Sequence, residues 1–252
     1  MKKVIYILTF FLSTYVLAQN KQLFDEANTL YNDANYTEAL EKYKSILESG
    51  EHSAELYFNI ANAHYKLNHI APSIYYYEKA LLLKPNDKDI KNNIAFARNM
   101  TVDAIDTVPE VGISKFVKNI TNMMSFDAWA KLAVGFVVLF VILLVTYYFT
   151  YSTSKKRFSF VTGSLSLLLS FVALGFAFHK FELVKNDQPA IVFAQESKIK
   201  SEPNLRSSEA FVLHEGTKVQ VLDTVSNWKK IKLSDGKTGW IMNDDIKILK
   251  DF

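Results

Sequence analysis

The residues best suited to metal binding or proton transfer in this sequence are its five histidines, His52, His64, His69, His179 and His214. None lies in an HExxH pattern or pairs with another at i,i+4, the spacing that sets two imidazoles on one helical face. With 0 cysteines the chain has no disulfide, no thiolate metal site and no lipid-modified cysteine. It also lacks a GxSxG elbow and a glycine-rich phosphate loop. Asp103 with Asp106, and Asp244 with Asp245, read as solvated charges. The net charge of +3 is too small to argue for nucleic acid. The expectation is a non-enzymatic protein with no cofactor and no metal.

The remaining chemistry is recognition, and its residues recur. Ala27-Asn28-Thr29-Leu30-Tyr31 aligns with Ala61-Asn62-Ala63-His64-Tyr65 at an offset of 34, the tetratricopeptide period. In the first unit Ala27, Tyr36, Ala39, Tyr43 and Ile46 take the pattern positions, and in the second Ala61, Ser73, Tyr77, Ala80 and the closing Pro85 do. Small residues belong where helices A and B cross closely, with Tyr43 and Tyr77 filling the space beside them. A further 34 residues gives Ala95, so 89–98 reads as a third A helix without a B partner, a cap of the kind terminal repeats need. Two repeats and a cap are near the lower limit of stability, so the array is expected to lean on a membrane or a partner.

Such an array binds peptides or helices on the concave face lined by its A helices. Helical spacing assigns the groove to Phe24, Asn28, Tyr31 and Asn32 in the first unit and Phe58, Asn62, Tyr65 and Lys66 in the second. For Asn28 and Asn62 two readings stand: an amide that grips a peptide backbone, or one that caps and solvates the groove.

Two charge-free apolar runs, 133–149 and 158–178, flank the basic stretch Ser154-Lys155-Lys156-Arg157. Each approaches the roughly 20 residues that cross a hydrocarbon core of about 30 Å, and in lipid such runs must be helical. The predicted division is a first span at 129–151, a cytoplasmic loop at 152–157 and a second span at 158–179. A short cationic loop stays cytoplasmic, which places both flanking parts outside. Residues 1–18, with Lys2-Lys3, an apolar stretch and Val16-Leu17-Ala18, read as an export signal, cleaved or retained as a third anchor. Before the hairpin, in the linker 101–128, Ile113, Phe116, Val117, Ile120 and Met124 recur at helical spacing, as in an amphipathic helix lying in a membrane interface. Trp129 is expected to anchor the first span at that interface. Ser166, Ser170, Ala173 and Ala177 form a small-residue face for helix packing.

After His179 the period becomes two. Short strands at 190–194, 211–213, 218–222, 228–233, 239–242 and 246–249 are separated by turns at 202–204, 214–216, 226–227 and 234–237. A Val-x-Val strand, Trp228-x-x-Ile231 and Asp235-Gly236-x-x-Gly239-Trp240 make 189–252 similar to a bacterial SH3 domain. That resemblance implies a small β-barrel and a binding module for cell-wall or protein ligands. Trp228 and Trp240 are its tempting contact residues, although in bacterial relatives such tryptophans mostly fill the barrel.

The architecture is thus multidomain: an all-α tetratricopeptide array at 19–100, a two-helix transmembrane hairpin and a small all-β SH3-like barrel. The order of parts, with 93–98, 101–105, 190–192 and 213–240, resembles the BatE family of Bacteroides aerotolerance (Bat) operons. The resemblance implies a Gram-negative inner membrane with both soluble parts periplasmic. It also implies work beside von Willebrand-type Bat proteins and a MoxR-type ATPase, in oxygen or oxidative-stress tolerance. Peptidoglycan is the alternative partner.

Overall fold

The computed structural model describes residues 19–105 and 112–250. Residues 1–18, read above as an export signal, and Asp106 lie outside the described residues. Residues 19–32 form α1, followed by α2 (Tyr36–Glu48), α3 (Ala54–Lys66), α4 (Ile70–Leu83) and α5 (Lys88–Arg98). Then come α6 (Ile113–Thr121), α7 (Phe126–Phe149) and α8 (Thr153–Asn186). The strands are β1 (Gln188–Val192), β2 (Glu196–Lys200), β3 (Glu209–His214), β4 (Lys218–Val225), β5 (Trp228–Lys232), β6 (Thr238–Met242) and β7 (Ile246–Ile248).

The chain forms two compact units, one of 19–105 with 188–250 and one of 112–187. In the first, α1–α2 and α3–α4 are two helix pairs and α5 is a third A helix. Helix starts follow from capping: Ser53 Oγ accepts from Leu56 N, and Asp87 Oδ1 accepts from Asp89 N and Ile90 N. The first two A helices are each followed by a left-handed residue, Ala34 (φ 63°) and Asn68 (φ 60°), again 34 apart, which turns the chain into the B helix. The small residues Ala27, Ala39, Ala61, Ser73 and Ala80 are fully buried at the crossings, with Tyr43 and Tyr77 beside them.

The seven strands form an antiparallel sheet in the order β3-β2-β6-β5-β4-β1-β7. Every strand sends a side chain into one core, among them Val192, Ile199, Leu213, Val221, Ile231, Ile241 and Ile246, so the sheet wraps around itself. Strand β1 is buried on both faces. Ala190 and Val192 enter the β core, whereas Ile191 and, after β7, Leu249 join the core of the repeats with Ile74, Tyr75, Tyr77, Ile90 and Ile94. The array therefore leans on the chain's own C-terminal sheet.

In the second unit α7 and α8 pack as an antiparallel pair. Ser159, Gly163, Ser166, Ser170, Ala173 and Ala177 form a continuous buried stripe, two members longer than the expected one. Ser166 Oγ donates to Phe136 O at 2.8 Å. Both helices are long and apolar enough to cross a membrane. Helix α8 starts at Thr153 and runs to Asn186, so Lys155, Lys156 and Arg157 occupy its first turns rather than a loop. Trp129, expected at the interface, packs between helices: it is buried, stacks on Phe176 at 5.0 Å and donates from Nε1 to Thr121 O at 3.2 Å.

Candidate functional site: the groove of the repeats and the outer face of the sheet

The amides of the groove are built into a ladder with the repeat's own period. Asn28 Oδ1 accepts from Tyr43 Oη at 2.6 Å and from Asn59 Nδ2 at 2.9 Å. One repeat later, Asn62 Oδ1 accepts from Tyr77 Oη at 2.5 Å and from Asn93 Nδ2 at 2.9 Å. Each rung ties an A helix to its own B helix and to the next A helix. Burial raises the Tyr43 hydroxyl to about 12, against a lowering contribution from Asn59, and raises Tyr77 further for the same reason. Both phenols stay protonated donors at neutral pH. With Oδ1 committed, what the Asn62 amide offers a ligand is its NH2 donors.

Tyr31, Asn62, Tyr65 and Lys66 meet around one groove pocket of about 270 Å³, together with Tyr77, Asn93 and Phe96. Phe96 is 61% exposed, a large apolar ring facing solvent. Burial raises the Tyr31 hydroxyl too, with Tyr36 adding to the effect. The other assigned positions fall elsewhere. Phe24 and Phe58 are half-buried against Tyr43 and Tyr77, with ring centroids 5.8 and 5.9 Å apart, and each lines a separate pocket towards the start of the A helices. Asn32 is exposed outside these pockets. Asn59, Asn93 and Phe96 were missed, although Asn59 and Asn93 repeat at 34 and could have been found by extending the alignment.

Trp228 and Trp240 do not fill the barrel. Ile231 and Ile241 point into the core, so on β5 and β6 the alternate residues face outward. Trp240 is opposite Lys230 on β5 and Lys200 on β2, and Trp228 is opposite Met242. Both indoles are half-buried on a face that also carries lysines.

The junction between repeats and sheet holds the polar residues that spacing left unassigned. Asp103 is not a solvated charge: Oδ2 accepts from His214 N at 2.7 Å and Thr217 Oγ1 at 2.6 Å, and Oδ1 lies 2.8 Å from His214 Nδ1. Burial raises its carboxyl, but the bonds from Thr217 and His214 outweigh that and hold it below the usual carboxylate range. Asp245 is likewise engaged, accepting from Ser197 Oγ at 2.5 Å, while Asp244 is exposed. Buried Glu78 pairs with Arg98 at 2.6 Å and with Lys218 of β4 at 2.7 Å. Two histidines also come together across the Asn68 turn, with His64 Nδ1 3.1 Å from His69 Nδ1. Burial, then His69 and the cations Lys44 and Lys247, lower His64 to about 4.

Residues 54–87 match the tetratricopeptide repeat, and residues 197–247 match the bacterial SH3 domain. The first match covers α3 and α4, which carry Asn62, Tyr65, Lys66 and Tyr77. The second stops short of β1 and Leu249, the elements that dock the sheet on the helices. No curated protein matches the chain. Domains of these two kinds are typically non-catalytic and serve protein–protein interaction or peptidoglycan binding.

Proposed function

We propose that the protein is a non-enzymatic scaffold of a bacterial inner membrane, which uses the groove at Tyr65 to hold a peptide or helix of a Bat-type partner on the periplasmic side. The observation that carries this reading is the pocket of about 270 Å³ where Tyr31, Tyr65, Lys66 and Phe96 converge over the Asn62 amide. Aromatic walls supply contact area at low entropic cost, and Lys66 and the amide supply polar selectivity.

The topology has independent support. Asp103 and His214 are 111 residues apart, on opposite sides of the two apolar helices, yet they share hydrogen bonds. Segments that bond to each other lie on the same side of a membrane, as an even number of crossings requires. Lys155, Lys156 and Arg157 in the first turns of α8, next to the short connection from α7, favour a cytoplasmic turn and periplasmic flanks. The order of parts supports von Willebrand-type Bat proteins and their MoxR-type ATPase system as the setting, and oxygen or oxidative-stress tolerance as the process. Affinity purification of the full chain from its native membrane tests this. The unaltered chain should bring down von Willebrand-type Bat proteins, and Lys66→Glu with Phe96→Ala should lose them. Retention by the double variant would remove the groove from the account.

The second reading assigns the outward Trp228 and Trp240 to peptidoglycan, with indoles stacking on sugars and Lys200 and Lys230 meeting carboxylates. Saturable binding of the detergent-solubilised chain to sacculi, lost in Trp240→Ala, would favour the wall anchor over the scaffold.

A further inference from the structure

The groove pocket at Tyr65 combines a single charge with a surplus of hydrogen-bond donors. Among the described residues that line it, Lys66 is the one charged side chain and there is no carboxylate. Lys66 ends α3, is exposed, and has no ion-pair or hydrogen-bond partner among the described residues. Asn62 Oδ1 already accepts from Tyr77 Oη and Asn93 Nδ2, so the Asn62 NH2 group keeps both of its hydrogens for a ligand and Asn93 keeps one. The Tyr31 and Tyr65 hydroxyls also make no hydrogen bond among the described residues, and burial keeps the Tyr31 phenol protonated. Free donors around one cation complement an anion. One lysine balances the single charge of a carboxylate, whereas a phosphate dianion would stay partly uncompensated. The other end of the same helices repels a carboxylate. There a pocket of about 190 Å³, at the starts of α3 and α5, is lined by Glu55, Asp87 and Asp89, and its Lys84 is already paired with Glu55. Tyr31 comes from α1 and Phe96 from α5, the A helices before and after α3, so aromatic contact is offered on both flanks of Lys66. A residue inside a partner chain has neighbours for both flanks; a C-terminal residue has one.

We propose that the groove selects an internal acidic residue of its partner, an Asp or Glu side chain bracketed by apolar residues. The carboxylate lies at Lys66 Nζ and the Asn62 and Asn93 amides, and its apolar neighbours lie on Tyr31 and Phe96. The proposal deepens the peptide-holding reading above and rests on it.

Random peptides displayed on phage, one library embedded within the coat protein and one ending in a free C-terminus, are panned against the detergent-solubilised full chain. Embedded sequences should converge on an acid between apolar residues. By fluorescence anisotropy, a selected peptide should bind about tenfold more weakly when its acid is changed to the amide. Lys66→Gln, with the hydrogen-exchange protection of α3 unchanged, should weaken it by the same factor, and the two changes together should cost little more than either alone. Convergence in the free-terminus library alone makes a chain end the occupant and overturns the proposal. Selected peptides without an acid overturn it too, as does full additivity of the two changes. In each of these cases the groove stays a peptide site provided that Phe96→Ala releases the selected peptides. If Phe96→Ala releases no peptide from either library, the peptide-holding reading falls as well.

Discussion

Gly216 and Gly236 make a matched pair for testing whether the sheet is docked on the repeats. Both are turn glycines in the left-handed region, at φ 85° and 92°. Alanine at either position pays about 1–2 kcal/mol for that backbone conformation. They differ in surroundings. A methyl at Gly236 meets nothing within 4 Å, whereas at Gly216 it lies 2.8 Å from Thr101 Cγ2, 2.9 Å from Ile74 Cδ1 and 3.0 Å from Ile70 Cγ2, all on the helical side of the junction. Ile74 is buried and cannot swing away freely. Overpacking of this kind costs about 1–3 kcal/mol, and the lower half applies because side-chain ends give way first. Gly216→Ala should therefore lose about 1–2 kcal/mol beyond Gly236→Ala. Hydrogen exchange of the full chain, read on peptides from α4 and β1, should show opening about 5- to 30-fold more frequent in Gly216→Ala than in Gly236→Ala. Equal protection in the two variants would refute the docked arrangement.

Other expectations follow from the same packing. His64 is pulled from 6.5 to about 4 by burial, so the unfolded chain binds the extra proton between those values, and stability present above pH 6.5 is lost on acidification. The loss reaches roughly 3 kcal/mol by pH 4; His64→Gln should flatten that part of a pH series of exchange protection in α3 and α4. Asp103, held low by its donors, contributes stability present above about pH 4 and lost as pH falls through its lowered value. Asp103→Asn should weaken the junction by about 1–3 kcal/mol at neutral pH, seen as faster exchange in 212–219. Ala34, a non-glycine residue at φ 63°, should gain about 0.5–1 kcal/mol on replacement by glycine, measured as slower exchange in α1 and α2. Replacing Asn62 by alanine should cost about 1–3 kcal/mol by leaving Tyr77 Oη without its acceptor, so loss of binding in that variant would report folding as well as contact.

The repeats were legible because a 34-residue period is imposed by helix crossings that accept only small residues, and Ala27, Ala61 and their partners obey it. All six predicted strand stretches carry at least two β-branched or aromatic residues, whereas β2, with Ile199 alone, was overlooked. Its ESKIK sequence places charges on the outer face and sends only Ser197 and Ile199 inward. The docking surface was hidden for a related reason. Ala190 to Phe193 is an unbroken apolar run, the mark of a strand covered on both faces, but nothing local says that the second cover is a helix 115 residues earlier, at Tyr75. Asp103 looked solvated because its partners, His214 and Thr217, are more than 100 residues away. The His64–His69 contact escaped a search at i,i+4 because the left-handed Asn68 brings i and i+5 together. In the groove, the pattern located Tyr31, Asn62, Tyr65 and Lys66, yet it treated every exposed A-helix position alike. In the structure Phe24 and Phe58 line two other pockets, Asn28 sits in the hydrogen-bonded ladder and Asn32 is exposed outside the pockets.

The central claim is that the Tyr65 groove is the assembly surface. A photo-crosslinking residue at Tyr65 in the full-length chain, expressed in the native host and activated in intact membranes, tests it most directly through mass spectrometry of the adducts. The account predicts adducts with von Willebrand-type Bat proteins at that position, lost when Phe96→Ala and Lys66→Glu are added while the chain's exchange protection is unchanged. Adducts only with wall enzymes, or adducts with Bat proteins that persist in the double variant, would contradict it.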